Sequence, residues 1–512
     1  MARELKALKG KQIKERAVRS TAYPSSPMSE SPSKQNAEGP ATPGFNKMNL
    51  GLEAFYLGDF TIDKANVIDI FKIFTTLFYP HFPVIDPVNT IPSIYFNCPI
   101  RFWTVIAIVT SRELKPGHVE LFNGLRKPFE EQLRVEALMA PLPIPTVQAL
   151  TYLMVWPLPV QRQFEDPSWL YSGIAINSAL DMGLNRSEAI QPPKTRNVSL
   201  QSRVKTWLGC FLSSTTLAMM LGISPPVNLA CDLNIIEQYV RHYPLPSELG
   251  FQVIVQQTLA KYTNALLDDS GGSANFSLVQ VVINELDILQ KRYPTDWTNR
   301  TDLALMTAKL HLYATSIIRM KSDTMSLNIL IKLAFPVAVR VVYLCNQGLH
   351  FTSDEYPDLA PSALRRTLPK HYSRSLTLAT LFLLRYFVLN AQATLDEREV
   401  ARNHVAMAHA HFRGSATKFL DEWGQIACVF EALSRQAPVD MEAFRQFDIM
   451  AEPPHSAGAS ESARSEARAI GRQSSSGVSD EWNPFPGLDM SLLENFCGTF
   501  VASMFGVHFP PC

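Results

Sequence analysis

Little in this 512-residue chain is charged: Lys plus Arg number 47, Asp plus Glu 47, and together they are 18% of the residues. The formal net charge is zero. A global basic field able to hold nucleic acid nonspecifically is excluded, so any DNA contact has to be local. Cysteines are few and scattered. Cys98, Cys210, Cys231, Cys345, Cys428, Cys497 and Cys512 include no Cys-x-x-Cys pair. Tetrahedral zinc sites use thiolates gathered by short loops, so no metal or other cofactor is expected from these residues, and the thiols read as buried and reduced.

Long apolar runs are missing too. Phe102 to Val109 is too short for a bilayer, which takes about 20 residues, and Leu376 to Leu389 is broken by Arg385. Met1 leads into charged residues rather than an apolar stretch. A soluble, intracellular protein with no membrane partner is expected. Catalytic signatures are equally scarce, with no Gly-rich phosphate loop of either common spacing and no Gly-x-Ser-x-Gly elbow. His404, His409 and His411 lack the His-x-x-x-His spacing of a zinc helix and read as a surface cluster. No catalytic residues are assigned, and the chain is not expected to be an enzyme.

What is abundant is apolar, 46% of the residues, and much of it falls at helical spacing. The pattern predicts an all-α fold: a large multi-helix regulatory domain with a disordered N-terminal arm and a Ser-rich C-terminal linker. Residues 1–50 are the arm, basic at first and then rich in Ser, Pro and Gly, too polar to offset the entropy of ordering. Within it Lys6, Lys9, Lys11, Lys14, Arg16 and Arg19 form a candidate nuclear-import or phosphate-contacting arm, with a solvated tail as the alternative.

Residues 51–450 read as one all-helical domain, since no region sustains period-two alternation with hairpin turns. A helix is expected from Asn66 to Phe78, ended by Tyr79-Pro80. Phe102 to Val109 is a buried helix segment. Thr146, behind Pro145, is expected to cap an almost wholly apolar helix that runs to Trp156 and stops at Pro157 and Pro159. Pro167-Ser168 starts the next, with Trp169, Gly173, Ile176 and Leu180 along its packing face. Small residues at Gly173, Ala175, Ser178 and Ala179 would let a neighbour approach, and Gly183 suits the C-terminal cap.

A third helix from about Ser202 carries Val204, Trp207, Leu208, Phe211, Leu212, Thr215 and Met219 on one stripe and ends at Gly222. Beyond a polar break at Asp268–Ser273, helices are expected over Leu303–Arg319, Leu327–Cys345 (kinked near Pro336), Ser375–Ala393 and Glu397–Phe412. Asp396, Glu397 and Glu399 would sit in the first turn of the last, where the helix dipole favours acid. Residues 451–480 read as a disordered linker. Residues 481–512 are an acidic and hydrophobic segment in which Trp482, Phe485, Leu488, Leu492, Leu493 and Phe496 are candidate activation anchors. The alternative is that this segment packs back on the domain.

Several pieces, taken in order, resemble the middle homology region of fungal zinc-cluster transcription factors. Leu77 to Asp86 is similar to that family's aromatic helix-and-turn opening, and Thr146-Val147-Gln148-Ala149-Leu150 to its Thr-x-Gln-Ala-Leu helix start. Trp169 to Ile176 with Met182 to Arg186 resembles its central signature, and Arg203-Val204-Lys205-Thr206-Trp207 the step into its next helix. The Trp156-Pro157-Leu158-Pro159 insertion looks like a subgroup that contains leucine-biosynthesis, weak-acid-response and secreted-protease regulators. Two departures stand out. Ser213-Ser214 replaces a common Asp-Arg, and Gly222-Ile223-Ser224-Pro225 replaces Gly-Arg-Pro.

The resemblance implies a nuclear fungal transcription regulator, of a metabolic or secondary-metabolite gene cluster, acting through a helical regulatory domain. It implies zinc, yet there is no cysteine cluster to hold it, so the DNA-binding head would be missing or contributed by a partner. The partners implied are a homo- or heterodimer with a zinc-cluster factor, the transcription machinery, DNA directly or through that partner, and a small-molecule effector. Trp156, Trp169, Trp207 and Arg203 are expected as framework positions. The alternative is a helical metabolite-binding or scaffold protein that does not bind DNA.

Overall fold

The computed structural model describes residues 52–85, 91–160, 165–186, 199–267, 276–292, 297–319, 324–349, 359–390, 392–417 and 421–434. The expected N-terminal arm, the polar break at 268–273, the 451–480 linker and the C-terminal segment lie outside these residues. The fold is all-α apart from one hairpin, β1 (Ala54–Leu57) and β2 (Phe60–Asp63). The hairpin corrects the all-helical expectation for residues 51–450. It pairs Leu57 with Phe60 across Gly58-Asp59, and Gly58 takes φ +57° at the first loop position, where an L side chain is disfavoured. Phe55 and Ile62 are buried beneath it. Four residues per strand are too few for alternation to stand out.

The helices are α1 (Lys64–Ile73), α2 (Ile91–Asn97), α3 (Pro99–Thr110), α4 (His118–Ala137), α5 (Ile144–Val155), α6 (Ser168–Asp181), α7 (Leu200–Leu221) and α8 (Ala230–His242). After these come α9 (Ser247–Leu267), α10 (Phe276–Arg292), α11 (Asn299–Arg319), α12 (Thr324–Tyr343), α13 (Pro361–Arg366), α14 (Lys370–Leu389), α15 (Leu395–Ser415) and α16 (422–434). They build two hydrophobic cores. The hairpin and α1 to α8 surround the first, which holds Trp103, Trp156 and Trp207. The second lies among α10 to α12 and α14 to α16. Helix α9 belongs to both: Leu249, Val253 and Ala260 enter the first core, Phe251, Val255 and Leu259 the second.

The expected Asn66–Phe78 helix is α-helical only to Ile73. Residues Phe74–Phe78 form a π turn and Tyr79–His81 a 3-10 turn. Thr75 and Thr76 donate their hydroxyls to the Phe71 and Lys72 carbonyls just before Pro80, a back-bonding that suits a widened turn. Helix α5 starts at Ile144 with Pro143 as its cap residue, so Thr146 is not a cap. Prolines at 143 and 145 bring no N–H to the first turn, which reduces the need for a capping oxygen. The Thr146 hydroxyl instead donates to Glu136 at 3.4 Å.

Helix α6 turns a different face inward from the expected one. Ser168, Ser172, Ala175, Ile176 and Ala179 are buried, while Trp169 is 42% exposed and Leu180 36%. The small residues let α6 lie close to α5 and α7, which leaves the bulky ones outside. A Cβ on Gly173 would meet nothing within 4 Å, so that glycine is not an approach point. Gly183 (φ +65°) and Gly222 (φ +70°) do end their helices in the left-handed conformation. The Ser199 hydroxyl caps α7 by accepting from the Ser202 N–H.

Pro336 lies inside α12, which passes into a π turn at Leu344–Gly348. Lys332 and Arg340 interrupt this run in the sequence, yet Thr324–Gln347 is long and apolar enough to cross a bilayer, which corrects the earlier reading of apolar lengths. In the fold Leu330, Ile331, Ala334, Ala338, Val341 and Val342 pack into the second core, and Met325, Ile329 and Leu333 face outward.

The glycine where a neighbour does come close is Gly209, in the middle of α7. A Cβ there would lie 2.8 Å from Val84 Cγ2 and 3.0 Å from Cγ1. Gly209→Ala should therefore destabilise the protein by about 1–3 kcal/mol despite the better helix propensity of alanine. Urea denaturation should show this loss, and adding Val84→Ala should recover part of it.

Candidate functional site

Three of the resembling segments meet around one buried polar chain. Arg101 of α3 donates to Gln148 Oε1 at 2.8 Å, Gln148 Nε2 donates to the Thr206 hydroxyl at 2.8 Å, and that hydroxyl donates to the Ser202 carbonyl at 2.7 Å. Each polar atom so placed would be costly if left unmade in an apolar interior, so the chain locks α3, α5 and α7 in register. Arg203 donates to the Gly183 carbonyl at 3.3 Å, which ties the start of α7 to the end of α6. Trp156, Trp207 and Arg203 are thus framework positions as expected. Trp169, on the outer face, is not.

Beside this framework is a cavity of about 40 Å³, room for a few waters. His81, Asp166, Ser168, Ser213, Lys370, His371 and Arg374 line it among apolar neighbours. Asp166, just before the cap residue Pro167 of α6, accepts from the Ser168 N–H and hydroxyl, and faces Lys370 at 3.1 Å and Arg374 at 3.8 Å. Glu422 reaches Lys370 at 3.3 Å. Burial alone would raise the Asp166 carboxyl, but Lys370, the Ser168 hydroxyl and Arg374 outweigh it and hold it below the usual range. Burial, with the Arg374 charge adding to it, pushes His371 down to about 3. His81 is also held well below its ordinary value, by burial first and then by Arg300 and His371. Both imidazoles are neutral.

The Ser213 hydroxyl is spent on the Gly209 carbonyl at 2.8 Å. The cluster therefore offers no nucleophile paired with a base. Its charges balance, and it joins α6, α14 and α16. Asp166 stands just ahead of the Pro167-Ser168 helix start expected from the sequence. Its partners come about two hundred residues later and carry no local signal.

A second concavity, a groove of about 420 Å³, runs between α4, residues 157–160 and α6. Leu133, Leu138, Leu158, Leu170 and Ile174 line it, with Arg126, Glu130, Arg134 and Glu165 at its margins.

The two sets of residues singled out from the sequence fall elsewhere. Lys6, Lys9, Lys11, Lys14, Arg16 and Arg19, and Trp482, Phe485, Leu488, Leu492, Leu493 and Phe496, lie outside the described residues. The histidine group does not form the expected surface cluster. His411 is buried with Nδ1 3.2 Å from Asn346 Oδ1, His409 pairs with Glu431 at 2.9 Å, and His404 faces the Val400 carbonyl. The helical period turns His409, five residues past His404, to another face, while His404 and His411, seven apart on one face, lie two turns apart, one half-buried and the other buried. Zinc does not fit the side chains present: among the described residues no group of three or more His, Cys, Asp or Glu could hold a metal ion.

Residues 71–251 match the fungal specific transcription factor domain. The chain is 30% identical over 191 residues to the putative transcription factor SEF1 of Kluyveromyces lactis, covering 36% of this chain and 17% of that protein. It is 25% identical over 389 residues to the putative transcription factor SEF1 of Eremothecium gossypii, covering 72% and 34%. It is 25% identical over 182 residues to the regulatory protein LEU3 of Saccharomyces cerevisiae, covering 32% and 20%. The chain thus spans about a third or less of the length of these relatives. No solved structure matches it.

Asp166→Asn removes the buried carboxylate that Lys370 and Arg374 share and leaves the more exposed Glu422 as the remaining carboxylate on Lys370. It should cost about 3–5 kcal/mol in urea denaturation, and Asp166→Leu with Lys370→Met should recover much of that. The pH dependence has two limbs. A histidine depressed in the fold costs nothing above its unfolded value of about 6.5. As pH falls from there toward about 3, His371 should cost about 1.4 kcal/mol of stability per pH unit. Asp166 acts lower, its contribution being present above about 3.9 and lost as pH falls through its depressed value. Stability curves from pH 8 to 4 should fall below pH 6.5, less steeply in His371→Asn.

Proposed function

We infer that this chain, which carries a fungal specific transcription factor domain over residues 71–251, works in the nucleus as a transcription regulator of a metabolic or secondary-metabolite gene set. The observation that carries the reading is the domain match. The motifs on which it rests belong to one framework, with Gln148, Thr206 and Gly183 bonded through buried side chains. The likeness to relatives named as transcription factors and regulators supports it further.

A net charge of zero over the whole chain gives no global field for DNA, so promoter contact would run through the basic arm or through a partner with its own DNA-binding head. The helical body would then act as the regulatory part. It would respond to an effector and engage the transcription machinery, with residues 481–512 as the activation segment.

Genome-wide chromatin occupancy of the tagged chain, with transcript profiling after its deletion, tests the reading. Discrete promoter peaks beside genes whose transcripts change are expected. Absence of both would overturn it and leave a helical metabolite-binding or scaffold protein. Replacing Lys6, Lys9, Lys11, Lys14, Arg16 and Arg19 with alanine should abolish nuclear accumulation or promoter peaks. Unchanged location and unchanged peaks would reduce the arm to a solvated tail.

A further inference from the structure

We propose that the cavity between α7, α9 and α11, where Thr215, Gln256 and His311 meet apolar neighbours, is a binding site for a short, uncharged aliphatic molecule that carries one hydrogen-bond donor. Its wall contains no Lys, Arg, Asp or Glu. His311 is fully buried, and that burial pushes its imidazole down to about 3, so it too is neutral. An ion entering here would lose its hydration with no countercharge to replace it, which selects for a neutral guest.

Two wall atoms state what the guest has to bring. Gln256 Oε1 and the Thr215 hydroxyl are buried and make no hydrogen bond within the protein. Gln256 Nε2 is directed to the sulfur of Met219 at 3.8 Å, so the amide's orientation leaves its oxygen toward no partner. A carbonyl oxygen only accepts, so its complement is an O–H or N–H. The neighbouring Thr263 hydroxyl is already committed to the Leu259 carbonyl at 2.8 Å. The cavity volume is about 70 Å³. That is less than the roughly 150 Å³ that accommodates a benzene ring, so the site suits a short chain rather than an aromatic.

The place of the cavity gives such binding a consequence. Helix α7 belongs to the first core, α11 to the second and α9 to both. Ile223 and Pro225, which also line the cavity, stand in the Gly222–Pro225 turn that ends α7. A guest would touch the joint between the cores. Its regulatory meaning rests on the function proposed above, whereas its binding does not.

The test uses the purified full chain and two probes of one short skeleton, each smaller than a benzene ring: ethanol, which has a donor, and chloroethane, which has none. Saturation-transfer NMR should detect the alcohol with a dissociation constant on the order of millimolar. Gln256→Met or Thr215→Val, each near in shape and checked for native circular dichroism, should weaken the alcohol about tenfold. The chloride should bind wild type and Gln256→Met alike. No transfer to the alcohol in folded wild type, or equal transfer in wild type and both variants, would overturn the site. Promoter occupancy is unaffected by that failure, so the two readings fail separately.

Discussion

The buried indole N–H of Trp156 donates to the Thr367 carbonyl, 2.8 Å away in space and 211 residues away in sequence. Everything near that bond is arranged around it. The Trp156 ring stacks on Tyr152 and meets Phe78 edge-on, and the Tyr152 hydroxyl donates to the Phe82 carbonyl at 2.6 Å. Next to it, Arg112 donates to the Pro157 carbonyl, and Arg366 donates to the carbonyls of Arg112 and Glu113. These donors form a belt that holds the α13 to α14 region against the first core. Most are guanidinium or indole groups meeting backbone carbonyls, so the belt depends on chain path more than on which side chains the partner segment carries.

The polar cavity of Asp166, Lys370 and Arg374 sits just beside this belt, and the two share a purpose. Residues on which the family likeness rests, such as Gln148, Thr206 and Gly183, are spent on holding helices in register. They identify a scaffold. At the seam between the two cores, by contrast, the wall chemistry is not fully spent, since Gln256 Oε1 and the Thr215 hydroxyl make no hydrogen bond within the protein.

Much of the scaffold was legible because helical spacing of large apolar residues survives in any one stretch of sequence. The α7 stripe around Trp207 and the glycine stops at Gly183 and Gly222 are of that kind. Face assignment failed at α6, where small residues carried the packing and Trp169 did not. A hydropathy pattern weighs bulk, whereas close helix contact rewards its absence. Thr394 and Glu397 form a reciprocal capping box at the start of α15, of which only the acidic half had been read. The division into two cores, and the pairing of Asp166 with Lys370, left no local trace, since both depend on segments far apart in the chain. The basic arm and the apolar anchors of the C-terminal segment stand outside the described residues, so the fold adds nothing to them.

Helix α9 carries a last consequence. The family match ends at residue 251, within the second turn of a helix that reaches Leu267 and feeds apolar side chains to both cores. A fragment cut at that border would lose Val253 and Ala260 from the first core and lay bare the wall they cover. The border therefore marks where the family match ends, and not where a self-sufficient folding unit stops. Helix α9 is a keystone shared by two vaults, and neither vault is finished without it.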